Sequence, residues 1–427
     1  MKTDTIAAIA TAMAGSGIGI VRISGEEAVS ITDQIFHMPG GKKLSDMETH
    51  TIHYGHIRDG EEVIDEVMVL LMRGPRSYTR EDTVEIDCHG GVYVMKRILE
   101  TVIKYGARPA EPGEFTKRAF LNGRIDLSQA ESVIDVISAK NEFALKSSMK
   151  QLSGAVSDAV KEIRGEILHE IAFIESALDD PEHISLDGYG ERLELTIEGA
   201  VDRIEKLLAS SDNGRILKDG ISTVIVGKPN AGKSSLLNTL LGEERAIVTE
   251  IAGTTRDVLE EQINLNGIVL NIIDTAGIRD TDDIVEKIGV DKARKYVKDA
   301  DLILYVVDAS TNLDENDREI MELLHGRRTI VLLNKSDLTP LTTAEDIRVH
   351  VDKDCPVISI SAREQKGIDV FTEQIREMFF RGEVTFNDEV YITNIRHKTA
   401  LQEALSSLHL VEQSIADGMP EDFYSID

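Results

Sequence analysis

Basic residues are scarce in this chain: 47 Lys and Arg stand against 76 Asp and Glu in 427 residues, a formal net charge of −29. Such a balance argues against broad electrostatic binding to nucleic acid. The shortage is uneven. Residues 1–124 carry 15 Lys and Arg against 18 Asp and Glu, a net of −3, so the rest of the chain holds −26. Cysteine is scarcer still. Cys88 and Cys355 are too few for a disulfide framework or a zinc cluster, which suits a reducing, cytoplasmic setting, and both read as small buried apolar residues. No apolar run approaches the ~18 residues of a membrane-spanning helix, and the first residues lack a basic region followed by an apolar stretch. Neither a membrane span nor a secretory signal is expected. The length suits roughly two to four domains, each able to bury a core.

Against these absences stands a nearly complete guanine-nucleotide signature between Gly227 and Asp337. Gly227-Lys228-Pro229-Asn230-Ala231-Gly232-Lys233-Ser234 has the spacing G-x-x-x-x-G-K-S. It follows the apolar run Ile221 to Val226 and precedes Ser235-Leu236-Leu237-Asn238, the strand-loop-helix context of a phosphate loop. Its glycines let backbone N–H groups close around a β-phosphate, and the helix N-terminus adds its positive end. Lys233 is expected to reach the β- and γ-phosphates, and Ser234 to ligand Mg²⁺. Asn334-Lys335-Ser336-Asp337 follows the strand Thr329 to Leu333. A carboxylate at Asp337 accepts from guanine N1–H and the exocyclic amino group together, which adenine does not offer, so GTP is favoured over ATP. Asp274-Thr275-Ala276-Gly277 follows Val269 to Ile273 and is expected to supply the Mg²⁺-side Asp and a γ-phosphate N–H. Ser361-Ala362-Arg363, after Val357 to Ile360, fits the loop that backs the base.

One catalytic residue is missing. Ras-like sites place a Gln after the D-x-x-G motif to orient the attacking water, and here Ile278 stands there. Something else must place the water and neutralise transition-state charge, a task worth about 10³–10⁵ in rate when an arginine finger performs it. Two candidates are visible. Asn230 offers a carbonyl oxygen, the hard ligand a monovalent cation needs, and the acidic stretch from Asp280 to Glu286 offers a carboxylate to a water.

The N-terminal part reads as α+β. Strands are expected at Thr5 to Thr11, Gly17 to Ser24, His50 to Arg58, Val63 to Met72 and Val84 to Cys88, with a helix over Val92 to Tyr105. From Ile125 the period changes. Asp126 and Gln129 form an N-cap pair, and apolar residues from Leu145 to Leu178 step by threes and fours, predicting one long helix that ends at Asp179-Asp180-Pro181. A further helix is expected from Leu193 to Leu208, then a loop from Ser210 to Gly220. Leu401, Leu405, Leu408, Val411 and Ile415 resume the helical period after the nucleotide-binding segment. The expected architecture is multidomain α/β. An α+β domain spans 1–124, a helical bundle 125–217 and 381–427, and a Ras-like P-loop domain, 218–380, is inserted into the bundle.

Over its whole length the chain resembles the bacterial tRNA-modification GTPase family called MnmE or TrmE. Besides the nucleotide motifs, the resemblance rests on Gly253-Thr254-Thr255-Arg256-Asp257, Val21-Arg22-Ile23-Ser24-Gly25, His89-Gly90-Gly91, and the runs Arg108 to Thr116 and Arg118 to Leu127. It implies an N-terminal domain that binds 5-formyltetrahydrofolate and forms a homodimer, and GTP hydrolysis that depends on K⁺ and on transient pairing of two GTPase domains. Carried over by position, Asn230, Thr249, Ile251 and Thr254 would ligand K⁺, Ser234 and Thr255 would ligand Mg²⁺, and Glu286 would act on the water. Thr249, Thr254, Thr255 and Ser235 join the residues expected around GTP. Arg22, Glu85 and Arg124 match the folate-contacting positions, with Arg124 standing where relatives often carry Lys. The implied function is 5-carboxymethylaminomethyl or aminomethyl modification of the tRNA wobble uridine, in a complex with the FAD-dependent protein MnmG and tRNA, with no membrane involved.

The resemblance has one departure. The family chain closes with a short motif of Cys, an apolar residue, Gly and Lys, whereas this sequence stops at Tyr424-Ser425-Ile426-Asp427, which reads as a shortened C-terminus. Two alternatives share the nucleotide motifs: a ribosome-assembly GTPase of the Era or Der type, and a non-catalytic nucleotide-gated dimeric scaffold. The first usually carries a basic RNA-binding appendage, and no such segment is present here.

Overall fold

The computed structural model describes residues 4–186, 188–243, 261–273, 300–380, 392–420 and 423–424. The chain divides into two compact units, Met1–Ile134 with Leu152–Ser157, and Asp135–Gln151 with Asp158–Asp427.

The first unit is built on a seven-stranded sheet. Its elements run β1 (Ile6–Ile9), β2 (Ile18–Ser24), α1 (Ala28–Ile35), β3 (Phe36–His37), β4 (Thr51–Asp59), β5 (Glu62–Met72), β6 (Thr83–His89), α2 (Val92–Lys104), β7 (Arg108–Pro109) and α3 (Glu114–Leu121). The strand order is β3-β4-β5-β6-β2-β1-β7, antiparallel throughout except for the β1–β7 pair. Alternation places Val67, Val69 and Leu71 of β5 under the helices with Ile86, Met95 and Ile98, which forms a closed core. All five expected strands and the helix over Val92 to Tyr105 are present with ends shifted by a residue or two.

Helices follow: α4 (Leu127–Ile137), α5 (Glu142–Leu152), α6 (Ala155–Asp179) and α7 (Tyr189–Asp219). The cap ahead of α4 is reciprocal: Gln129 N–H donates to Asp126 Oδ1 and Asp126 N–H to Gln129 Oε1, both at 2.9 Å. Two expectations need correction. The single helix over Leu145 to Leu178 is two helices, because Gly154 takes φ +100°, a left-handed conformation that ends α5. The loop expected over Ser210 to Gly220 is helix up to Asp219, and only Gly220, at φ +87°, leaves it. The small polar residues there serve close approach. Ser210 Oγ accepts from the Ile392 N–H at 3.2 Å, and a Cβ on Gly214 would lie 2.4 Å from the Ile392 carbonyl oxygen.

The second sheet has six strands, β8 (Ile221–Val226), β9 (Glu261–Leu265), β10 (Ile268–Ile272), β11 (Leu302–Asp308), β12 (Thr329–Asn334) and β13 (Val357–Ser359). Interleaved are α8 (Lys233–Glu243), α9 (Glu315–Leu324), α10 (Ala344–Arg348) and α11 (Ile368–Phe380), and α12 (Ile395–Ala416) follows. The order is β13-β12-β11-β8-β10-β9, parallel except for the β9–β10 hairpin. Every residue of β11 and β12 is buried, which explains the apolar runs Leu302 to Val307 and Ile330 to Leu333: helices cover a parallel sheet on both faces. The C-terminal ends of β8 and β12, where such sheets bind ligands, carry the phosphate loop and the Asn334 motif.

Candidate functional site

The phosphate loop turns out of β8 and into α8 through backbone conformations that few residues tolerate. Gly227 sits at φ +150°, and a Cβ there would lie 2.3 Å from the Val306 carbonyl oxygen. Asn230 is left-handed at φ +63°, a conformation Asn accepts better than most side chains. Gly232, at φ +100°, leaves no room for a Cβ, which would stand 2.1 Å from Asn334 Nδ2. Lys233 opens α8, with Ser234 and Ser235 in its first turn. The Lys233 ammonium donates to the carbonyls of Gly227 at 2.8 Å and Lys228 at 2.7 Å. Burial pushes its pKa down, and no carboxylate among the described residues pairs with it. A half-buried cation at a helix N-terminus, wrapped by a loop of positive-φ residues, fits a phosphate chain.

The base-recognition residues converge on the same loop. Asn334, at the end of β12, is buried; its Nδ2 donates to the Ala231 carbonyl at 2.9 Å and its Oδ1 accepts from the Ala362 N–H at 3.0 Å. Lys335 takes φ +66°, and its ammonium lies 2.5 Å from Asp308 Oδ2. Asp337 is exposed, with one carboxylate oxygen accepting from Ser361 Oγ at 2.7 Å. That hydrogen bond, followed by a backbone N–H, holds its carboxyl below the usual range, so it is an anionic acceptor at neutral pH. Ser361 is fixed by a reciprocal backbone pair with Lys366, and Ala362 by Thr239 Oγ1 at 2.7 Å from its carbonyl. The structure places Asn230, Ala231, Gly232, Lys233 and Ser234 in the loop after β8 and the start of α8, and Asn334, Lys335, Asp337, Ser361 and Ala362 at the ends of β12 and β13, joined through Asn334 and Ser361. Thr249, Ile251, Thr254, Thr255, Asp274, Thr275, Ala276, Gly277 and Glu286 lie outside the described residues. Asp308 and Thr239 were missed by sequence reasoning. Each acts through a partner far along the chain, and no local motif marks them.

The first unit holds a second cluster. Arg22 on β2 stands opposite Glu85 on β6, and its Nε lies 2.6 Å from Glu85 Oε1. The Arg22 guanidinium lies 5.6 Å from the ring centres of both Tyr78 and Phe115. Arg124 covers Tyr78 at 4.7 Å and donates to its carbonyl at 3.3 Å. Tyr78 is held at its hydroxyl by Thr116 Oγ1, 2.9 Å away. Sequence reasoning named Arg22, Glu85 and Arg124; the structure places Arg22 and Arg124 against the Tyr78 ring, Glu85 on Arg22, and Phe115 beside the same guanidinium. Behind them Arg118 is buried among carboxylates, bonding Glu81, Glu114 and Asp4, while Arg108 bonds Glu114 and Asp4. Two cations flanking an aromatic face fit a planar, anionic ligand.

Among the described residues no group of three or more His, Cys, Asp or Glu could hold a metal ion, and no helix is long and apolar enough to cross a membrane.

A β-strand, phosphate loop and helix joined to an Asn-Lys-x-Asp corner define a P-loop domain of the guanine-nucleotide class. Residues 5–124 match the family described as GTP-binding protein TrmE N-terminus, and residues 127–427 match the MnmE helical domain. The chain is 60% identical over 428 residues to the tRNA modification GTPase MnmE of Lachnoclostridium phytofermentans, covering 100% of this chain and 93% of that one. Identity is 49% to the MnmE of Alkaliphilus metalliredigens, covering 99% and 92%, and 47% to that of Bacillus subtilis, covering 99% and 93%. This chain belongs to the MnmE family of tRNA modification GTPases, enzymes that hydrolyse GTP. A match that includes residues 5–124 favours this family over the ribosome-assembly and scaffold alternatives.

Proposed function

We propose that this chain is a K⁺-dependent GTP hydrolase acting in the cytoplasm with the flavoprotein MnmG to install a 5-carboxymethylaminomethyl or aminomethyl group on the wobble uridine of tRNA. The observation that carries the N-terminal half of this reading is the convergence of Arg22 and Arg124 on Tyr78, with Glu85 paired to Arg22. The proposed division of labour gives folate binding and dimerisation to 1–124, the helical bundle to 125–217 and 381–427, and nucleotide turnover to 218–380.

In the nucleotide site the loop N–H groups and the Lys233 ammonium receive the phosphates, while Asp337 reads the guanine edge and Lys335, Ser361 and Ala362 support it. Thr249, Thr254, Thr255 and Asp274 to Gly277 complete the phosphate side. Ser234 and Thr255 would hold Mg²⁺, which neutralises charge between the phosphates. Asn230, Thr249, Ile251 and Thr254 would hold K⁺, which lends positive charge where other GTPases insert an arginine. With Ile278 in place of a Gln, Glu286 orients the water. In the first unit, Arg22 and Arg124 would hold 5-formyltetrahydrofolate, the source of the one-carbon unit, with Glu85 accepting from its polar edge. Pairing with a second copy is supported by an apolar sheet face left open at Ile52, Tyr54 and Met68, where Tyr54 and Met68 stand opposite each other. The acidic surface is consistent with a partner that supplies most of the tRNA contact.

A calorimetric titration with 5-formyltetrahydrofolate tests the reading. Saturable binding by the chain, lost in a folded Arg22→Ala variant, is the expected result. A folded chain that binds no folate, or an Arg22→Ala variant that binds unchanged, would remove the folate function from this site.

A further inference from the structure

Lys228 is the first residue after Gly227 in the phosphate loop, and its charge is not turned toward the phosphate position. Its ammonium lies 2.6 Å from Oδ2 of Asp317, in the first turn of α9, and 2.9 Å from Oδ2 of Asp314, the N-cap of α9. Asp317 is buried, with a side chain only 2% exposed, and two further donors reach its carboxylate. Tyr305, itself fully buried on β11, donates its hydroxyl to Oδ1 at 2.9 Å, and the Asp314 N–H donates to Oδ2 at 3.0 Å. Asp314 returns the bond, accepting from the Asp317 N–H at 3.2 Å, so the two carboxylates form the capping box of α9 and the Lys228 anchor at once.

The other end of the same residue meets the nucleotide machinery. The Lys228 carbonyl accepts from the Lys233 ammonium at 2.7 Å and from the Ala231 N–H at 3.3 Å. A continuous set of bonds thus runs from Tyr305 and α9 through Asp317, along the Lys228 side chain and backbone, to Lys233. Asn230 stands two residues further on, held in its left-handed conformation.

We infer that Lys228 is a positioning residue for GTP turnover, pinning the phosphate loop to α9 through Asp317 and Asp314 so that Lys233 and Asn230 are placed before nucleotide arrives. The physical reason is preorganisation. Displacements on the order of 1 Å around a reacting group cost up to about a hundredfold in rate, even when the altered residue does not touch it. A lysine paired with a buried carboxylate that a tyrosine hydroxyl and a backbone N–H hold in place has few geometries, and an exposed, unpaired lysine would have many. This inference holds for any nucleotide-hydrolysing role of the loop and does not depend on K⁺ or folate.

The test compares steady-state GTP turnover and thermal unfolding of the full chain with Lys228→Met, Lys228→Arg, Asp317→Asn and the Lys228→Met/Asp317→Asn pair. Positioning predicts that Lys228→Met lowers kcat/KM by about tenfold or more when assayed well below its melting temperature. Lys228→Arg should stay within about twofold, and the double variant should be no worse than the poorer single one, since both break the same bond. If Lys228→Met fails to fold, Asp314→Asn removes one of the two carboxylate charges while keeping the cap, and should move kcat/KM in the same direction by less. Unchanged kcat/KM in folded Lys228→Met, or in Asp314→Asn where the first does not fold, would overturn the inference and leave the pair a stabilising contact alone.

Discussion

Asn334 at the end of one strand donates to the carbonyl of Ala231 in the loop after another, at 2.9 Å, across 103 residues of sequence. The same side chain accepts from the Ala362 N–H, so a single carboxamide ties the phosphate loop to the loop behind the base. Both bonds are buried. Asn334→Ala should therefore lower unfolding free energy by about 1–3 kcal/mol for the orphaned groups. It should also weaken nucleotide binding by about tenfold, since both halves of the site lose their shared support. Urea unfolding and a fluorescent GTP-analogue titration measure the two effects, and an effect on stability with unchanged affinity would separate the tie from the site.

Asp337 is exposed and held by Ser361 through one carboxylate oxygen. Asp337→Asn replaces an acceptor by a group that donates at one end, which opposes the guanine amino group and suits a carbonyl at the same ring position. Competition assays should show GTP affinity falling on the order of a hundredfold while xanthosine triphosphate gains. Equal losses for both nucleotides would mean the substitution disturbs the loop and does not change its selectivity.

At Asn230 the backbone and the side chain can be separated. The φ of +63° suits glycine, so Asn230→Gly keeps the loop conformation and removes the carboxamide oxygen. The proposed K⁺ role predicts nucleotide affinity within about threefold of the parent, with K⁺ stimulation of turnover lost. A variant still stimulated by K⁺ would assign the cation elsewhere.

Glu114 gives a pH dependence of known sign. The Arg108 guanidinium beside it holds its carboxyl down at about 2, against an ordinary value of 4.5. A folded-state pKa below the unfolded one means a contribution fully present above about 4.5 that fades as pH falls through about 2. Glu114→Gln should be less stable than the parent by about 1–3 kcal/mol at neutral pH, with the gap closing across that acidic window. Denaturant unfolding at a series of pH values checks it; a gap that does not depend on pH would mean the loss is one of packing.

The phosphate loop, the Asn-Lys-x-Asp corner, the five N-terminal strands and the Asp126–Gln129 cap were all legible in the sequence. Each is written in contiguous residues whose backbone demands are local: Gly227 and Gly232 for turns no Cβ permits, apolar runs for strands buried on both faces, reciprocal side chains for a helix start. Periodicity alone carried the helix past Gly154, where one left-handed residue breaks it. The polar composition of Ser210 to Gly214 resembled a loop because composition does not register that a neighbouring segment, around Ile392, packs within reach of a helix. The meeting of Arg22 and Arg124 at Tyr78, with Glu85 and Phe115 against Arg22, the Asn334 tie and the Lys228–Asp317 anchor were decided by tertiary structure. Their partners stand tens to more than a hundred residues apart, and only strand register and helix packing bring the side chains within hydrogen-bonding range.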